Sequence, residues 1–361
     1  PDVELIIERE PFASTSEGAE TYFTQLAAEV MSGKGPDLFW IRPGYMDVYK
    51  MMKAGAFADL APFVAEDPDF SGDAYNTAVL NGCYYGEQLC IMPLQYTLPG
   101  LLGWKRLLDE NSFDYERCTD FLSIWEELAR YTGQYNGDPS KPRPLNIPLK
   151  LDEFPNMTGI SWINVEEKSI DLTDSRWPAI FEEYRLIYGT SPENPAFNGV
   201  TATIMNGEFL LEAYQGGGTY ERLITDARRI SSEEVPCFIP LYDVDGGIQV
   251  RIAESVGVRR TSPNQQNAYN FIRILLDPEL QYMQYDNFAP DDVPLSNQAL
   301  RESLDANRKK LEGKWILVDG LNENNVGELS HEFTDSFIQA TQKVTGSYFI
   351  GNARNQFFDS M

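Results

Sequence analysis

The stretch from Cys83 to Leu108, CYYGEQLCIMPLQYTLPGLLGWKRLL, decides the fold. Two extended runs flank Gly86-Glu87, and a glycine-containing pair between strand-forming residues predicts a β-hairpin. The second run reaches Pro93, which has no amide hydrogen to donate, so the ladder is expected to end there. An irregular apolar segment then leads to Gly100, where a new run begins. This pattern predicts a crossing from one lobe of the protein to another, with the connecting residues facing a cleft.

Length and composition favour two globular lobes. The 361 residues exceed what one hydrophobic core usually supports. A hydrophobic fraction of 42% with 12% aromatics argues against disorder. The net charge of −26 repels phosphate groups, so binding to nucleic acid or to a membrane surface through a basic patch is not expected. No apolar run approaches the roughly 18 residues that span a bilayer.

The cysteines and the histidine limit what chemistry the chain can carry. Cys83 and Cys90 would lie opposite each other across the predicted hairpin, so a cross-strand disulfide and two buried free thiols both stay open. Cys118 and Cys237 are expected to be unpaired. The single histidine, His331, has no cluster of neighbouring ligands, so neither a metal site nor a cofactor is expected.

The N-terminal third predicts a sheet with helices packed on it. A strand from Val3 to Ile7, a helix from about Glu17 to Met31 and a strand from Asp37 to Ile41 follow one another. The helix is indicated by apolar side chains at three-and-four spacing. This succession predicts a βαβ unit and therefore a parallel sheet. The loop from Arg42 to Tyr45 follows the second strand, at the edge where ligands bind in such sheets. Since Pro1 leads directly into the first strand, we expect that a leader has been removed.

Later segments continue the alternation of helices and extended runs. Amphipathic helices are predicted from Phe121 to Ala129, from Pro178 to Ile187 and from Asn264 to Leu276. A second hairpin is predicted between Trp162 and Leu172. The proline-bounded extended run from Val235 to Tyr242 is similar to the first crossing, and we expect it to return the chain to the first lobe.

Five stretches occur in an order that resembles a known protein family. They are SGKGPDL at 32–38, KAGAFADL at 53–60, YYGEQLCIMP at 84–93, MNGE at 205–208 and NAYNFIRILL at 267–276. This order, across nearly the whole chain, resembles the extracellular solute-binding proteins of sugar ABC importers, the maltose-binding-protein type. That family usually opens with a further strand and helix before the equivalent of Val3, and it carries a lipobox cysteine. The further strand and helix are absent here, so the first lobe is expected to lack an element. The absence of the lipobox cysteine is expected if the leader has been removed.

The resemblance implies an α/β, two-lobed, periplasmic-binding-protein-like fold, with lobes joined by crossing strands and a ligand cleft between them. The expected first lobe comprises residues 1–95 plus 240–300, and the second lobe comprises residues 96–239. Residues 300–361 are expected to form a C-terminal helical segment that packs on the lobes. The implied function is non-catalytic binding of a carbohydrate, with an oligosaccharide favoured, and its delivery to ABC transporter permease subunits. The implied protein is a monomer, either a cell-surface lipoprotein or periplasmic.

Candidate ligand-binding residues follow from the chemistry of sugars. Sugars present apolar C–H faces to aromatic rings and hydroxyl groups to planar polar side chains. The aromatic candidates lie beside predicted strand ends or crossings, and they are Trp40, Tyr45, Tyr96, Trp162, Tyr214 and Tyr242. The polar candidates are Arg42, Gln95, Asp243 and Arg251. Core packing is the alternative for any single ring.

Two other classes of function are alternatives to binding and transport. A glycoside hydrolase needs two carboxylates, but with 55 acidic residues a pair is always available and discriminates nothing. A Ser-His-Asp set is not expected, because His331 is the only histidine and no G-x-S-x-G elbow is present. A sensor or adhesin module built on the same binding fold stays open, and adjacency to permease genes would separate it from a transport protein.

Overall fold

In a computed structural model of the chain, the structure describes residues 6–7, 16–41, 46–70, 73–146, 154–160, 162–164, 169–189, 207–214, 219–232, 234–283, 292–308 and 327–349. The α-helices among them are α1 Ser16–Met31, α2 Val48–Lys53, α3 Ala61–Glu66, α4 Lys105–Glu110, α5 Phe121–Tyr135, α6 Phe154–Met157, α7 Trp177–Gly189, α8 Thr219–Ile230, α9 Gln265–Leu275, α10 Pro278–Met283, α11 Asn297–Asn307 and α12 His331–Gln342. The strands are β1 Leu38–Ile41, β2 Tyr84–Tyr85, β3 Gln88–Leu89, β4 Ile91–Thr97, β5 Gly100–Trp104, β6 Arg143–Leu145, β7 Ile163–Asn164, β8 Ser169–Ile170, β9 Phe209–Tyr214, β10 Pro236–Pro240, β11 Ile248–Val258, β12 Val293–Pro294 and β13 Val344–Tyr348.

Two larger sheets form the centres of two lobes. The sheet of the first lobe has the order β1-β11-β4-β12, with β13 paired to β11. The sheet of the second lobe has the order β10-β5-β9-β6. Helix α9 packs on the first sheet, whereas α5 and α8 pack on the second. This is the two-lobed arrangement of helices and strands expected from the sequence.

Short segments carry the chain between the lobes. Leu98-Pro99 joins β4 to β5, residues 241–247 join β10 to β11, and Lys343 joins α12 to β13. The backbone also links these segments, because the Leu241 amide donates to the Pro99 carbonyl at 3.0 Å and the Ile248 amide donates to the Lys343 carbonyl at 2.9 Å. The three segments therefore lie side by side where the lobes meet.

The C-terminal region differs from the helical segment expected after residue 300. Helices α11 and α12 are present, but β13 follows them and pairs in parallel with β11 of the first sheet. Helix α12 packs against β10 of the second lobe, where Phe337 contacts the rings of Phe238 and Tyr220 at centroid distances of 5.1 and 5.5 Å. The C-terminal region therefore contributes to both lobes.

The parallel sheet predicted from the N-terminal third is contradicted at the described pairing of β1. This strand pairs antiparallel with β11, with Trp40 opposite Val256. The neighbour of β1 thus comes from a distant part of the chain, which local periodicity cannot predict. Of the predicted strand from Val3 to Ile7, Ile6 and Ile7 are exposed and belong to no strand, and the rest lies outside the described residues.

The predicted end of the ladder at Pro93 is also wrong. Strand β4 runs from Ile91 through Pro93 to Thr97, including residues expected to be irregular. Pro93 lies opposite Ser255, at a point where the register between β4 and β11 shifts. A proline is tolerated at such an irregularity because its missing amide hydrogen breaks no regular ladder bond.

The predicted hairpin before β4 is confirmed. Strands β2 and β3 pair antiparallel around Gly86, whose φ of 59° suits a tight turn. Cys83 and Cys90 lie at its base, and both are buried free thiols. Burial, together with the neighbouring Cys90, raises the pKa of Cys83 well above its usual value, and burial raises the pKa of Cys90 to about 11. The second hairpin is confirmed as well, by β7 and β8.

Gly100 begins β5 at a point of close backbone approach, and this gives a testable prediction. A Cβ atom at this position would lie 2.1 Å from Cε2 of Phe238 on the neighbouring strand β10. We expect Gly100→Ala to lower the free energy of unfolding by about 1–3 kcal/mol, because the ring must move in a packed core. Denaturant unfolding measures the change. Gly133→Ala is the control, since a Cβ there meets nothing within 4 Å. A free energy of unfolding for Gly100→Ala equal to that of the wild type would show that Phe238 moves aside without cost.

Candidate functional site

The carboxyl ends of two strands of the first sheet lie at the edge that faces the second lobe. Strands β1 and β4 both pair antiparallel with β11, so they run in the same direction and end at Ile41 and Thr97 on one edge. In the second sheet Gly100, the first residue after the crossing, pairs with both Tyr214 and Pro240. We call the two facing edges, marked by these five residues, the interlobe edge.

The pairing of β4 with β11 brings three predicted site residues together at the interlobe edge. Arg251 lies opposite Thr97, and the predicted residues Gln95 and Tyr96 precede Thr97 on β4. A guanidinium Nη2 of Arg251 donates to Oγ1 of Thr97 at 3.4 Å, and this hydroxyl donates to Oδ1 of Asp292 at 2.9 Å. Thr97 and Asp292 are buried, whereas Arg251 is half-buried. The interlobe edge therefore carries the guanidinium of Arg251, which is held in place by the buried pair Thr97 and Asp292.

Sequence reasoning missed Thr97 and Asp292. The two residues lie 195 positions apart, and neither belongs to a recognisable motif. Their contact depends on the pairing of β12 with β4, which sets Val293 opposite Tyr96 and so brings Asp292 beside Thr97. A short polar side chain at a strand end is too common a feature to single out without that pairing.

Tyr96 and Gln95 are buried in this structure. Tyr96 is fully inaccessible, and its hydroxyl accepts a hydrogen bond from Nδ2 of Asn76 at 3.2 Å. Burial raises the pKa of Tyr96 above its usual value. Its ring packs in the core of the first lobe and presents no open face for stacking.

Tyr214 is likewise buried, within a charged cluster of the second lobe. Its hydroxyl donates to Oδ2 of Asp226 at 2.7 Å, and the guanidinium of Arg222 covers its ring at 5.7 Å from the centroid. Arg222 also pairs with Glu212, a buried carboxylate two residues before Tyr214 on β9. Burial, and then the charge of Asp226, raises the pKa of Glu212 to about 7. We call these residues, with Arg229 paired to Asp226, the β9–α8 charge cluster.

The remaining predicted aromatics differ in exposure. Trp40 on β1 is 37% exposed, next to the residue that ends the strand at the interlobe edge. Trp162 is buried before β7, and Tyr242 is 9% exposed with Nζ of Lys343 at 4.7 Å from its ring centroid. Trp40 is thus the most available of the described aromatic candidates. The predicted residues Arg42 and Tyr45 lie outside the described residues.

Asp243 lies in the segment that joins β10 to β11, and its carboxylate is engaged within the chain. Oδ1 accepts from the amides of Gly247 at 2.8 Å and of Asp245 at 3.0 Å. Oδ2 accepts from Nε2 of Gln249 at 2.9 Å and from the Thr345 hydroxyl at 3.1 Å. In this structure the carboxylate therefore binds the crossing segment and the strands beside it.

Within the described part of the chain, no group of three or more His, Cys, Asp or Glu side chains is arranged to hold a metal ion. None of the helices in that part combines the length and apolarity needed to cross a membrane.

Comparison with known proteins reveals one matching family. A model of the family described as bacterial extracellular solute-binding protein matches residues 13–299. Among curated proteins, none matches the chain.

Several solved structures are similar to this chain over most of both chains' lengths. The sugar-binding protein MalE from Xanthomonas citri is 13% identical, with a TM-score of 0.65, and the match covers 94% of this chain and 79% of that one. The ABC substrate-binding protein Lmo0181 from Listeria monocytogenes, in complex with cycloalternan, is 17% identical, with a TM-score of 0.56 and coverage of 94% and 80%. An ABC transporter associated binding protein from B. animalis subsp. lactis Bl-04, in complex with beta-1,6-galactobiose, is 17% identical, with a TM-score of 0.57 and coverage of 94% and 82%. These likenesses confirm the predicted two-lobed α/β fold.

Proposed function

The chain belongs to the bacterial extracellular solute-binding proteins, and on this basis we propose that it binds a carbohydrate between its lobes and delivers it to an ABC transporter. The family is one of binding proteins that act outside the cytoplasmic membrane, so the chain is not an enzyme. This sets aside the glycoside hydrolase alternative, which had no specific residue in its favour.

The likeness in fold to proteins solved with sugars carries the proposal. Two of these relatives were solved with cycloalternan and with beta-1,6-galactobiose, which are both oligosaccharides. The interlobe edge offers matching chemistry in this chain. Trp40 supplies an exposed ring for the C–H face of a sugar, and Arg251, held by Thr97, supplies donors for hydroxyl oxygens. The exposed ring of Trp40 and the donors of Arg251 together favour an oligosaccharide, because a small ion has no apolar face for the ring to contact.

The partners and the cellular site follow from the same proposal. The expected partners are the permease subunits of an ABC importer, which receive the sugar from a monomeric binding protein. Attachment to the cell surface as a lipoprotein, or free movement in the periplasm, would both keep the protein beside its transporter. The remaining candidates also stay predictions as ligand contacts, and they are Arg42, Tyr45, Gln95, Tyr96, Trp162, Tyr214, Tyr242 and Asp243.

A thermal-shift screen against a panel of oligosaccharides tests the proposal. A ligand present at about 100 times its dissociation constant adds about 2.7 kcal/mol to the free energy of unfolding. Polyamines, peptides and inorganic phosphate serve as non-sugar controls. We expect a shift with one class of glycan and no cleavage product after incubation. A shift with a non-sugar ligand alone, or release of cleaved glycan, would contradict the proposal.

Trp40→Ala sharpens this test. Because the ring is 37% exposed, we expect its removal to reduce the glycan-dependent shift, and because the rest of the ring is buried, the shift is measured against the unliganded variant, whose own stability is expected to fall. Tyr84→Ala is the matched control, since Tyr84 is 39% exposed on the hairpin strand β2 and away from the interlobe edge. Equal shifts in both variants would remove Trp40 from the binding site.

A further inference from the structure

The segment from Leu241 to Gly247, which we call the hinge turn, is bound to the first lobe through one side chain. The carboxylate of Asp243 accepts hydrogen bonds from Gln249 on β11 and from Thr345 on β13, both strands of the first sheet. It also accepts two amide hydrogens within the turn itself. Four donors therefore fix the orientation of this carboxylate relative to the first lobe.

The backbone of the same residue is bound to the second lobe. The carbonyl of Asp243 accepts the amide of Phe121, the first residue of α5, at 3.0 Å. Helix α5 packs against β6 of the second sheet. An amide in the first turn of a helix has no partner within the helix, so this bond satisfies a donor that would otherwise need water. Asp243 thus contacts one lobe with its carboxylate and the other with its carbonyl.

The packing around the carboxylate leaves no space for a side chain at two neighbouring glycines. A Cβ atom at Gly247 would lie 2.4 Å from Oγ1 of Thr345 and 2.9 Å from Oδ2 of Asp243. A Cβ atom at Gly346 would lie 2.4 Å from Oε1 of Gln249. Only glycine allows the hinge turn and β13 to approach this closely, so the hydrogen bonds of Asp243 form in a tightly packed site.

We propose that Asp243 is the residue that couples the two lobes and sets their relative orientation in the unliganded protein. The carboxylate holds the hinge turn to the first sheet, and the carbonyl holds it to α5. Without the carboxylate, the turn keeps its bond to the second lobe but loses its side-chain hydrogen bonds to the first sheet, and its remaining link there is the chain itself where it enters β11. The lobes then sample a wider range of orientations, and a ligand that binds both lobes must restrict that range. The effect on affinity rests on the proposed function, whereas the effect on orientation does not.

Distance measurements between the lobes test the proposal without any ligand. Spin labels at Lys53→Cys on α2 and Ser140→Cys in the second lobe occupy exposed positions. The native thiols of Cys83, Cys90 and Cys118 are buried and Cys237 is half-buried, so they react poorly with the label. We expect Asp243→Ala to broaden the interlobe distance distribution. An unchanged distribution would overturn the proposal.

Asp37→Ala is the matched control for a general loss of stability. The Asp37 carboxylate accepts from Arg259, Ser262 and Asn264, and all of these partners belong to the first lobe. Its removal costs comparable hydrogen bonds but should leave the interlobe distances as they are. Equal broadening in both variants would also overturn the proposal.

A second variant covers the case in which Asp243→Ala does not fold. The pair Gln249→Leu and Thr345→Val removes only the two donors from the first sheet and keeps the turn intact. We expect the same broadening, to a smaller extent. An unchanged distribution in this variant contradicts the proposal.

Binding measurements add an independent readout. Once a glycan has been found, we expect Asp243→Ala to weaken its binding roughly 5- to 150-fold, the typical range of coupling between a conformational equilibrium and a site. Weaker binding with an unchanged distance distribution would show that Asp243 contacts the ligand instead, and would overturn the proposal. If no glycan binds the wild-type protein, the proposed function fails while the distance measurements still decide the role of Asp243.

Discussion

Replacement of Phe337 by alanine is expected to lower the free energy of unfolding by about 3–5 kcal/mol, the range for removal of a buried aromatic ring. Phe337 on α12 is fully inaccessible. Its ring contacts Phe238 on β10, Tyr220 on α8 and Phe333 on its own helix. These contacts join α12 to β10 and α8 of the second lobe. Alanine would therefore leave a cavity where all three elements meet.

Denaturant unfolding of the variant measures this loss. Gln339→Ala is the control on the same helix, because Gln339 is exposed and surface substitutions usually change stability by about 0.5 kcal/mol or less. A loss below about 1 kcal/mol for Phe337→Ala would contradict the packing of α12 on the second lobe, since a ring at such a contact cannot be removed cheaply.

Glu212→Gln is expected to remove a pH dependence of stability. The pKa of Glu212 is raised from 4.5 to about 7, chiefly by burial and then by the charge of Asp226. Between these two values the folded chain keeps a proton that the unfolded chain has lost, so stability falls as the pH rises through this window. A shift of this size corresponds to about 3 kcal/mol at pH values above the window. The ion pair with Arg222 lowers the pKa but does not offset burial.

The groups around Glu212 define what the variant retains. Arg222 keeps its contact with Asp226, between Nε and Oδ2 at 3.6 Å, and Arg229 also pairs with Asp226. Asn146 beside β6 keeps a hydrogen-bonding partner, because the new side chain is an amide. Asp226 has a raised pKa of its own, mainly through burial, so a weaker dependence of the same sign is expected to persist in the variant.

Unfolding measured at several pH values from about 4.5 to 8 tests this prediction. We expect the advantage of Glu212→Gln over the wild type to grow as the pH rises to about 7 and then to level off. Glu182→Gln is the control, because Arg185 lowers the pKa of this exposed carboxylate and so places its titration below the window. Parallel curves for the wild type and Glu212→Gln would show that Glu212 stays ionised throughout.

The sequence predicted the features that depend on neighbouring residues. The hairpin around Gly86 follows from its turn residues, and helix α1 follows from its periodicity. The extent of β4 and the direction of β1 were wrong, because both depend on pairing with β11, which lies far along the chain. Strand β13 was missed for the same reason, since its only described partner is also β11.

The candidate site was harder to predict than the fold. Strands β4 and β9 are buried at every position, so their sequences show no alternation that would mark a face toward the cleft. A tyrosine on such a strand looks the same in sequence whether it stacks on a ligand or fills a core. Tyr96 and Tyr214 therefore could not be separated from Trp40, which lies on a strand with an exposed position.

The pairing of β11 with both β1 and β13 also bears on the order in which the lobes can assemble. The described strands of the second sheet all fall between Gly100 and Pro240, so that sheet can form from one continuous piece of chain. The first sheet joins its earliest described strand to strands that are synthesised more than 200 residues later, and contacts of such long range form slowly. The first sheet can therefore be complete only when almost all of the chain has been made. A late completion of this kind suits a protein that must cross a membrane in an extended form before it folds.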